Sequence, residues 1–145
     1  MPRKLIYPAS YNPTCFYNNP KIEVRKSKIH GVGVFAKKAI KQNEVLEEAH
    51  FIILKGNWHK LPSLLQEYIF GWNKDMPDNK SKAALVFGNG TLYNSSPEPN
   101  ADWQTNIKKN RFIFYALKNI KAGEEIKINY GNEYWEKSSK KYIKS

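Results

Sequence analysis

Short alternating apolar segments, separated by turn residues, constrain the fold of this chain more than any other feature of its sequence. Some segments alternate apolar and polar residues, as half-buried β-strands do, and others are short apolar runs bounded by turn residues. These signals lie at Ile22 and Val24 and at residues 32–36, 45–46, 51–54, 83–87, 111–117 and 125–130. The pattern predicts a mainly β fold.

The last of these segments is the most regular strand signal in the chain. Ile126, Ile128 and Tyr130 share one face, while the residues between them are polar. Because side chains alternate across a strand, Tyr130 points in the same direction as the core residues. A tyrosine in such a place is usually a core residue with one partner for its hydroxyl.

One stretch has helical spacing instead. Its apolar residues recur every three or four positions around Pro62, which suits the first turn of a helix. They are Leu61, Leu64, Leu65, Tyr68, Ile69 and Trp72. We predict one short amphipathic helix here, followed by a polar loop over residues 73–82.

Two turns have similar sequences, Ile40–Glu44 and Ile120–Glu124. Asn43 and Gly123 occupy the same position in each, and both residue types tolerate a positive φ. We interpret this as recurrent turn chemistry and not as a sequence repeat. A further turn is predicted at 88–90, where the sequence reads Gly-Asn-Gly.

A length of 145 residues suits one domain with short additions. Residues 1–20 are rich in proline and asparagine and predict an irregular arm that lies on the domain through its aromatic residues Tyr7, Tyr11, Phe16 and Tyr17. Residues 21–136 are the predicted domain. Residues 137–145 form a basic tail.

Charge and cysteine content limit the classes of function. The net charge of +11 favours contact with polyanions or acidic proteins. A single cysteine, Cys15, and three scattered histidines cannot build a disulfide framework or a zinc cluster, so no metal site is predicted. No signal-peptide segment or long apolar run occurs, which predicts an intracellular protein.

Three segments carry a family resemblance. They are residues 27–36 (SKIHGVGVFA), 93–101 (YNSSPEPNA) and 123–131 (GEEIKINYG). In this order they resemble the SET domain of protein-lysine methyltransferases over roughly residues 22–135. The nearest resemblance is to the short SET proteins of large algal DNA viruses, which methylate a histone tail as dimers. Residues 65–70, 85–99 and 126–135 look alike in both.

The resemblance implies a fold and a cofactor. The fold is the SET, or β-clip, arrangement of small curved sheets, in which the Asn94 segment and the Tyr130 segment cross as a pseudoknot. The cofactor is S-adenosylmethionine, with S-adenosylhomocysteine as product. In the family, backbone groups matching His30, Gly31 and Val32 hold its methionine end. On the residues alone, a lone Gly-x-Gly is usually a tight turn.

Asn94 and Ser95 are further cofactor residues by resemblance. The amide of Asn94 could fix the amino group or carboxylate of the cofactor, although the cluster of Asn, Ser and Pro also suits an Asx-turn. Ser95 stands where the family usually has histidine. The backbone contact made at that position survives the substitution, whereas the ring that stiffens the crossing is lost.

Tyr130 matches the catalytic tyrosine of the family and is also a cofactor contact. Tyr68 matches a tyrosine near the cofactor, with a core role as the alternative. Trp135 matches a residue that stacks on adenine, with a dimer contact as the alternative. Ile128 stands where the family often has an aromatic residue that tunes product multiplicity, which therefore stays open.

The sequence thus predicts a protein-lysine N-methyltransferase that uses S-adenosylmethionine, with a histone tail as the expected substrate. The alternatives are a methyltransferase for a non-histone protein and a catalytically silent, basic SET-fold binding module. Expected partners are the protein substrate, a weak nucleic-acid or nucleosome contact through the basic surface, and a second copy of the chain. A histone substrate implies the nucleus, and another substrate implies the cytoplasm.

Overall fold

The computed structural model describes residues 3–54, 60–72, 82–106 and 108–129, and these form two β-sheets and one short helix. The helix is α1 (Ser63–Gln66). The strands are β1 (Ile22–Lys26), β2 (Val32–Ala36), β3 (Val45–Leu54), β4 (Ile69–Trp72), β5 (Lys82–Val86), β6 (Asn94–Ser95), β7 (Ala101–Asn106), β8 (Arg111–Ala116) and β9 (Glu125–Ile128). The predicted mainly β fold class is confirmed.

The strands are arranged in a four-stranded and a five-stranded sheet. The smaller sheet has the order β1-β2-β9-β6, and the larger has the order β4-β5-β3-β8-β7. Neighbouring strands pair antiparallel except β6 and β9, which run parallel with Asn94 opposite Lys127. This parallel pair brings the Asn94 segment against the last described strand, as the predicted crossing requires.

One apolar core joins the two sheets. Val34, Ile126 and Ile128 contribute from the smaller sheet and are fully buried. Phe112 and Phe114 contribute from β8, all six residues of which are buried. Because both faces of β8 are buried, it is an interior strand around which the other elements pack.

The helix predicted across residues 61–72 is wrong beyond Gln66. Helix α1 has four residues, buries none of them, and is followed by β4, which pairs with β5. An isolated turn of helix is marginal without a buried face. The strand ladder instead satisfies the backbone groups of Ile69–Trp72, so tertiary pairing overrides the local spacing. Most of the predicted loop at 73–82 lies outside the described residues, and Lys82 begins β5.

Several strand limits also differ from the prediction. The signals at 45–46 and 51–54 belong to one ten-residue strand, β3, which has a bulge between Val45 and Glu47. Strands β6 and β7 have no counterpart in the predicted pattern. β7 is polar at most positions because it is an edge strand paired only with β8 among the described residues.

The two similar turns adopt similar conformations. Asn43 has a φ of 70° and Gly123 a φ of 90°, which confirms the predicted positive values. Ile40 and Ile120 exchange two backbone hydrogen bonds of 2.8 Å. Gly88, in the predicted Gly-Asn-Gly turn, also has a positive φ of 68°.

Residues 3–20 lie along β3 and the turn before it. Ile6 bonds to Asn43 and Val45 through its backbone, and Asn19 bonds to Leu46. This contact agrees with the predicted arm, while the domain limits at residues 20 and 136 stay predictions. Within the described part of the chain, no helix has the length and apolar content needed to cross a membrane.

A buried ion pair fastens the arm to the sheet. Arg111 donates to Glu48 at 2.7 Å, and both side chains are buried. The hydroxyls of Tyr7 and Tyr11 donate to the other oxygen of Glu48 at 2.9 and 2.8 Å. Arg111 also donates to the carbonyls of Cys15 and Pro13. We call these residues, with the arm carbonyls, the arm cluster.

Candidate functional site

A pocket opens between the β1–β2 turn and the segment that leads into β6. It encloses about 250 Å³, part of it open to solvent. Its lining residues are His30, Gly31, Val32, Tyr68, Thr91, Leu92 and Asn94. Backbone groups of the turn therefore face the side chain of Asn94 across a small concave surface.

The β1–β2 turn has its shape fixed by Ser27 and Gly31. The backbone N–H of Ser27 donates to the carbonyl of Gly31 at 2.8 Å, and the Ser27 hydroxyl accepts from the N–H of Ile29 at 2.9 Å. Gly31 has a φ of +48°, and a Cβ added to it would meet no atom within 4 Å. Glycine is therefore favoured at this position by its positive φ and not by a lack of space for a side chain.

The Asn94 amide ties this turn to the smaller sheet. Its Nδ2 donates to the carbonyls of His30 and Val32, each at 3.2 Å, and to Glu125 Oε1 at 2.7 Å. Asn94 is buried, yet no described residue donates to its Oδ1. That oxygen is free to accept a hydrogen bond from a ligand.

Glu125 supports the pocket through Ser27 and Asn94, and sequence reasoning assigned it no role. The hydroxyl of Ser27 lies 2.9 Å from both of its carboxylate oxygens. A Cβ added at Gly33 would overlap Glu125 Oε1 and lie 3.0 Å from Asn94 Nδ2. Alternation along β9 indicated that Glu125 faces away from the core, but it could not show that Asn94 lies on that side.

The crossing of residues 94–100 with β9 is held by Asn100. Its Nδ2 donates to the carbonyl of Glu125 at 2.9 Å, and its Oδ1 accepts from the N–H of Lys127 at 2.7 Å. Ser95 pairs with Ile128 in the parallel ladder and does not line the pocket. The side chain of Asn100 thus satisfies two backbone groups of β9, the carbonyl of Glu125 and the N–H of Lys127.

A buried glutamate holds the wall that precedes Asn94. The Tyr93 hydroxyl donates to Glu47 Oε1 at 2.6 Å, and the N–H of Asn89 donates to Oε2 at 3.2 Å. Burial raises the pKa of Glu47, although these two hydrogen bonds oppose the rise. Burial and the nearby carboxylate also raise the pKa of Tyr93. The residues from Asn89 to Asn94 are therefore anchored from the core side.

Of the eight predicted cofactor residues, the structure brings five around one pocket, namely His30, Gly31, Val32, Tyr68 and Asn94. Ser95 is adjacent to it. Tyr130 and Trp135 lie outside the described residues, so their predicted places stay predictions. Thr91 and Leu92 were missed because ordinary turn residues carry no signal of their own. The role of each residue stays a prediction.

Comparisons with known proteins agree with this architecture. The SET domain family model matches residues 31–131. The histone-lysine N-methyltransferase of Schizosaccharomyces pombe described as specific for H3 lysine 37 is 28% identical over 117 residues, which cover 79% of this chain and 76% of the relative.

Two proteins of Plasmodium falciparum are also similar. A variant-silencing SET domain-containing protein is 29% identical over 126 residues, which cover 78% of this chain but 5% of that long relative. A crystal structure of a candidate histone methyltransferase superposes with a TM-score of 0.63 and 33% identity, covering 81% of this chain and 98% of the other. Since the family model spans most of the chain, this protein belongs to the SET domain family.

Proposed function

We propose that this protein is a protein-lysine N-methyltransferase that uses S-adenosylmethionine and acts on a histone tail. The observation that carries the proposal is the convergence of the His30–Val32 turn and Asn94 on one pocket within a SET domain. The name of the Schizosaccharomyces pombe relative supports a histone substrate. A histone substrate would place the protein in the nucleus.

The hydrogen-bond acceptors of the pocket suit the amino-acid end of the cofactor. The free Oδ1 of Asn94 and the carbonyls of the turn are acceptors, and Glu125 adds a negative charge behind them. An ammonium group is a donor that such acceptors favour. The pocket is small and partly open to solvent, which fits a site for one end of the molecule.

The reaction needs alignment more than acid–base chemistry. When bound, S-adenosylmethionine supplies an electrophilic methyl group on a positively charged sulfonium. The chain holds the lysine nitrogen in line with that methyl group. We assign Tyr130, which follows β9 in the sequence, as the catalytic residue whose hydroxyl helps this alignment through weak contacts. The attacking lysine is neutral because an apolar channel and a nearby positive charge lower its pKa.

The same proposal includes the adenine contacts, the oligomeric state and a contact with DNA. Trp135 stacks on the adenine ring, and Ser95 contacts it through the backbone. The resemblance to short viral-type SET proteins favours a homodimer, and the basic surface favours weak contact with nucleosomal DNA. A SET domain that methylates a non-histone protein is the second candidate function.

Isothermal titration calorimetry with S-adenosylmethionine tests the site. We expect saturable binding with one molecule per chain, and a folded protein that binds none would support the silent binding module. Methylation of nucleosomes and of whole lysate, followed by mass spectrometry, tests the substrate. The expected product is a methylated lysine in a histone tail, and methylation confined to non-histone proteins would overturn that part of the proposal.

A further inference from the structure

The two similar turns are related by a local two-fold axis. Ala36 donates its N–H to the carbonyl of Glu124 at 2.9 Å, and Ala116 donates to Glu44 at 3.0 Å. Gly123 donates to Ala36 at 2.7 Å, and its counterpart Asn43 donates to Ala116 at 2.8 Å. Each of these backbone hydrogen bonds on one side thus has an equivalent on the other.

The reciprocal bonds between Ile40 and Ile120 mark the axis itself. The first turn is closed by a bond from Glu44 to Lys41 at 3.0 Å, and the second by one from Glu124 to Lys121 at 3.1 Å. Ile40 and Ile120 are buried to the same degree, with 1% of each exposed. The symmetry therefore extends from the backbone into the core beneath it.

This symmetry pairs four exposed lysines. Lys38 corresponds to Lys118, and Lys41 corresponds to Lys121. All four side chains are exposed, and none forms an ion pair with a described residue. We call them the lysine quartet. The inference drawn from it rests on the proposed contact with nucleosomal DNA, and it is independent of the pocket residues and of the catalytic assignment.

Nearby carboxylates do not neutralise the quartet. Glu44 is paired with Lys21 at 3.0 Å, whereas Glu125 bonds to the uncharged side chains of Ser27 and Asn94 and keeps its negative charge. Glu124 is the remaining acidic residue of the two turns. Exposed Lys37 adds another positive charge, so the lysines outnumber Glu124 and Glu125 and the surface is positive on balance.

We propose that the lysine quartet is a docking surface for double-stranded nucleic acid. The phosphate backbones of a duplex are antiparallel and are related by local two-fold axes perpendicular to the helix. A two-fold arrangement of lysines can contact both strands in equivalent ways, as symmetric proteins match symmetric half-sites. Such contacts are electrostatic and read no sequence.

Fluorescence anisotropy with a 24-base-pair DNA duplex tests the surface. We compare Lys38→Gln/Lys118→Gln with Lys108→Gln/Lys109→Gln, a pair on the β7–β8 turn at the other end of β8. Both pairs are exposed and lose the same charge, and the six residues of β8 separate them by about 20 Å.

We expect the Lys38/Lys118 variant to weaken duplex binding about tenfold at 50 mM salt and to lower the slope of log affinity against log salt by about 1–2. The control pair should change both quantities much less. Equal effects of the two pairs would overturn the proposal, because the response would then report net charge alone.

The symmetry gives a second test. Lys38→Gln and Lys118→Gln, made singly, should weaken binding equally within about twofold, and Lys41→Gln should match Lys121→Gln. An effect confined to one turn would overturn the two-fold contact. Tighter binding of a 24-nucleotide single strand than of the duplex would overturn the double-stranded partner. Thermal unfolding of each variant checks that these exposed substitutions leave the fold intact.

Discussion

Two polar clusters in this molecule are each built around a glutamate, but they differ in how fully their hydrogen-bonding groups are paired. In the arm cluster, Glu48 receives donors from Arg111, Tyr7 and Tyr11 and is buried. At the pocket, Glu125 receives donors from Ser27 and Asn94 and is half-buried. Each carboxylate joins segments that are far apart in the sequence.

The difference lies in what each cluster leaves open. The arm cluster is nearly saturated, and only Arg111 Nε lacks a hydrogen-bond partner among the buried atoms of its described residues. The pocket cluster leaves Asn94 Oδ1 free beside a concave surface. A closed buried network specifies structure, whereas a network with an open acceptor at a pocket is able to bind.

The largest expected effect on stability comes from removing the buried arginine of the arm cluster. Arg111→Met should lower the free energy of unfolding by about 3–5 kcal/mol, because Glu48 loses its buried counterion. Urea unfolding at pH 7 measures the change. Lys109→Met removes the same charge from an exposed residue of the turn that precedes β8 and is the control. A loss no greater than that of the control would show that the ion pair does not fasten the arm.

Tyr130→Phe should separate chemistry from folding. Loss of the hydroxyl alone should lower the single-turnover rate of methyl transfer by about 10²-fold or more, equivalent to about 2.7 kcal/mol, with cofactor affinity nearly unchanged. Tyr142→Phe, in the basic tail, is the matched control. A Tyr130→Phe protein that is less stable but methylates normally would identify a core tyrosine instead.

Asn94→Ala tests the open cluster directly. Removing the amide should weaken binding of S-adenosylmethionine by about 1–3 kcal/mol, because the ligand loses an acceptor and the His30–Val32 turn loses its tether. Calorimetry measures the affinity. Asn106→Ala removes a half-buried amide from the end of β7 and should leave affinity unchanged. Equal affinities in folded Asn94→Ala and wild-type protein would contradict the cofactor role of this segment.

The smallest effect concerns the wall behind the pocket. Because the folded state raises the pKa of Glu47, the ionised carboxylate destabilises the fold above the ordinary value of 4.5. Relative to Glu47→Gln, the wild type should therefore lose stability as the pH rises from about 4.5 through the raised pKa, and the difference should be constant outside that window. Urea unfolding at several pH values measures it. A difference that is independent of pH would contradict a raised pKa.

Local patterns were sufficient to predict much of the fold. Alternation located β1, β2 and β9, short apolar runs located β5 and β8, and turn chemistry located the positive φ of Asn43 and Gly123. The same reasoning failed at Ile69–Trp72, where helical spacing coincides with an edge strand. Spacing alone cannot show which backbone partner is nearby.

The candidate site was predicted through motifs and completed by the structure. His30, Asn94 and the Gly-Glu-Glu lead-in were recognised as a set, but Ser27 was assigned no role within its segment and Glu47 carries no motif. Their importance depends on which residues the fold brings near them. In the sequence Glu47 is an ordinary strand glutamate, and only the fold shows that it accepts a hydrogen bond from Tyr93.

The arm cluster also has a consequence for the order of synthesis. Cys15 leaves the ribosome 96 residues ahead of Arg111, whose guanidinium it meets through its carbonyl. Strand β9, which completes the smaller sheet, emerges later still. The arm can thus pair with β3 soon after β3 is made, but the arm cluster closes only when Arg111 is available. Such long-range closure favours slow folding after synthesis, with exposed strand edges that chaperones can bind in the interval.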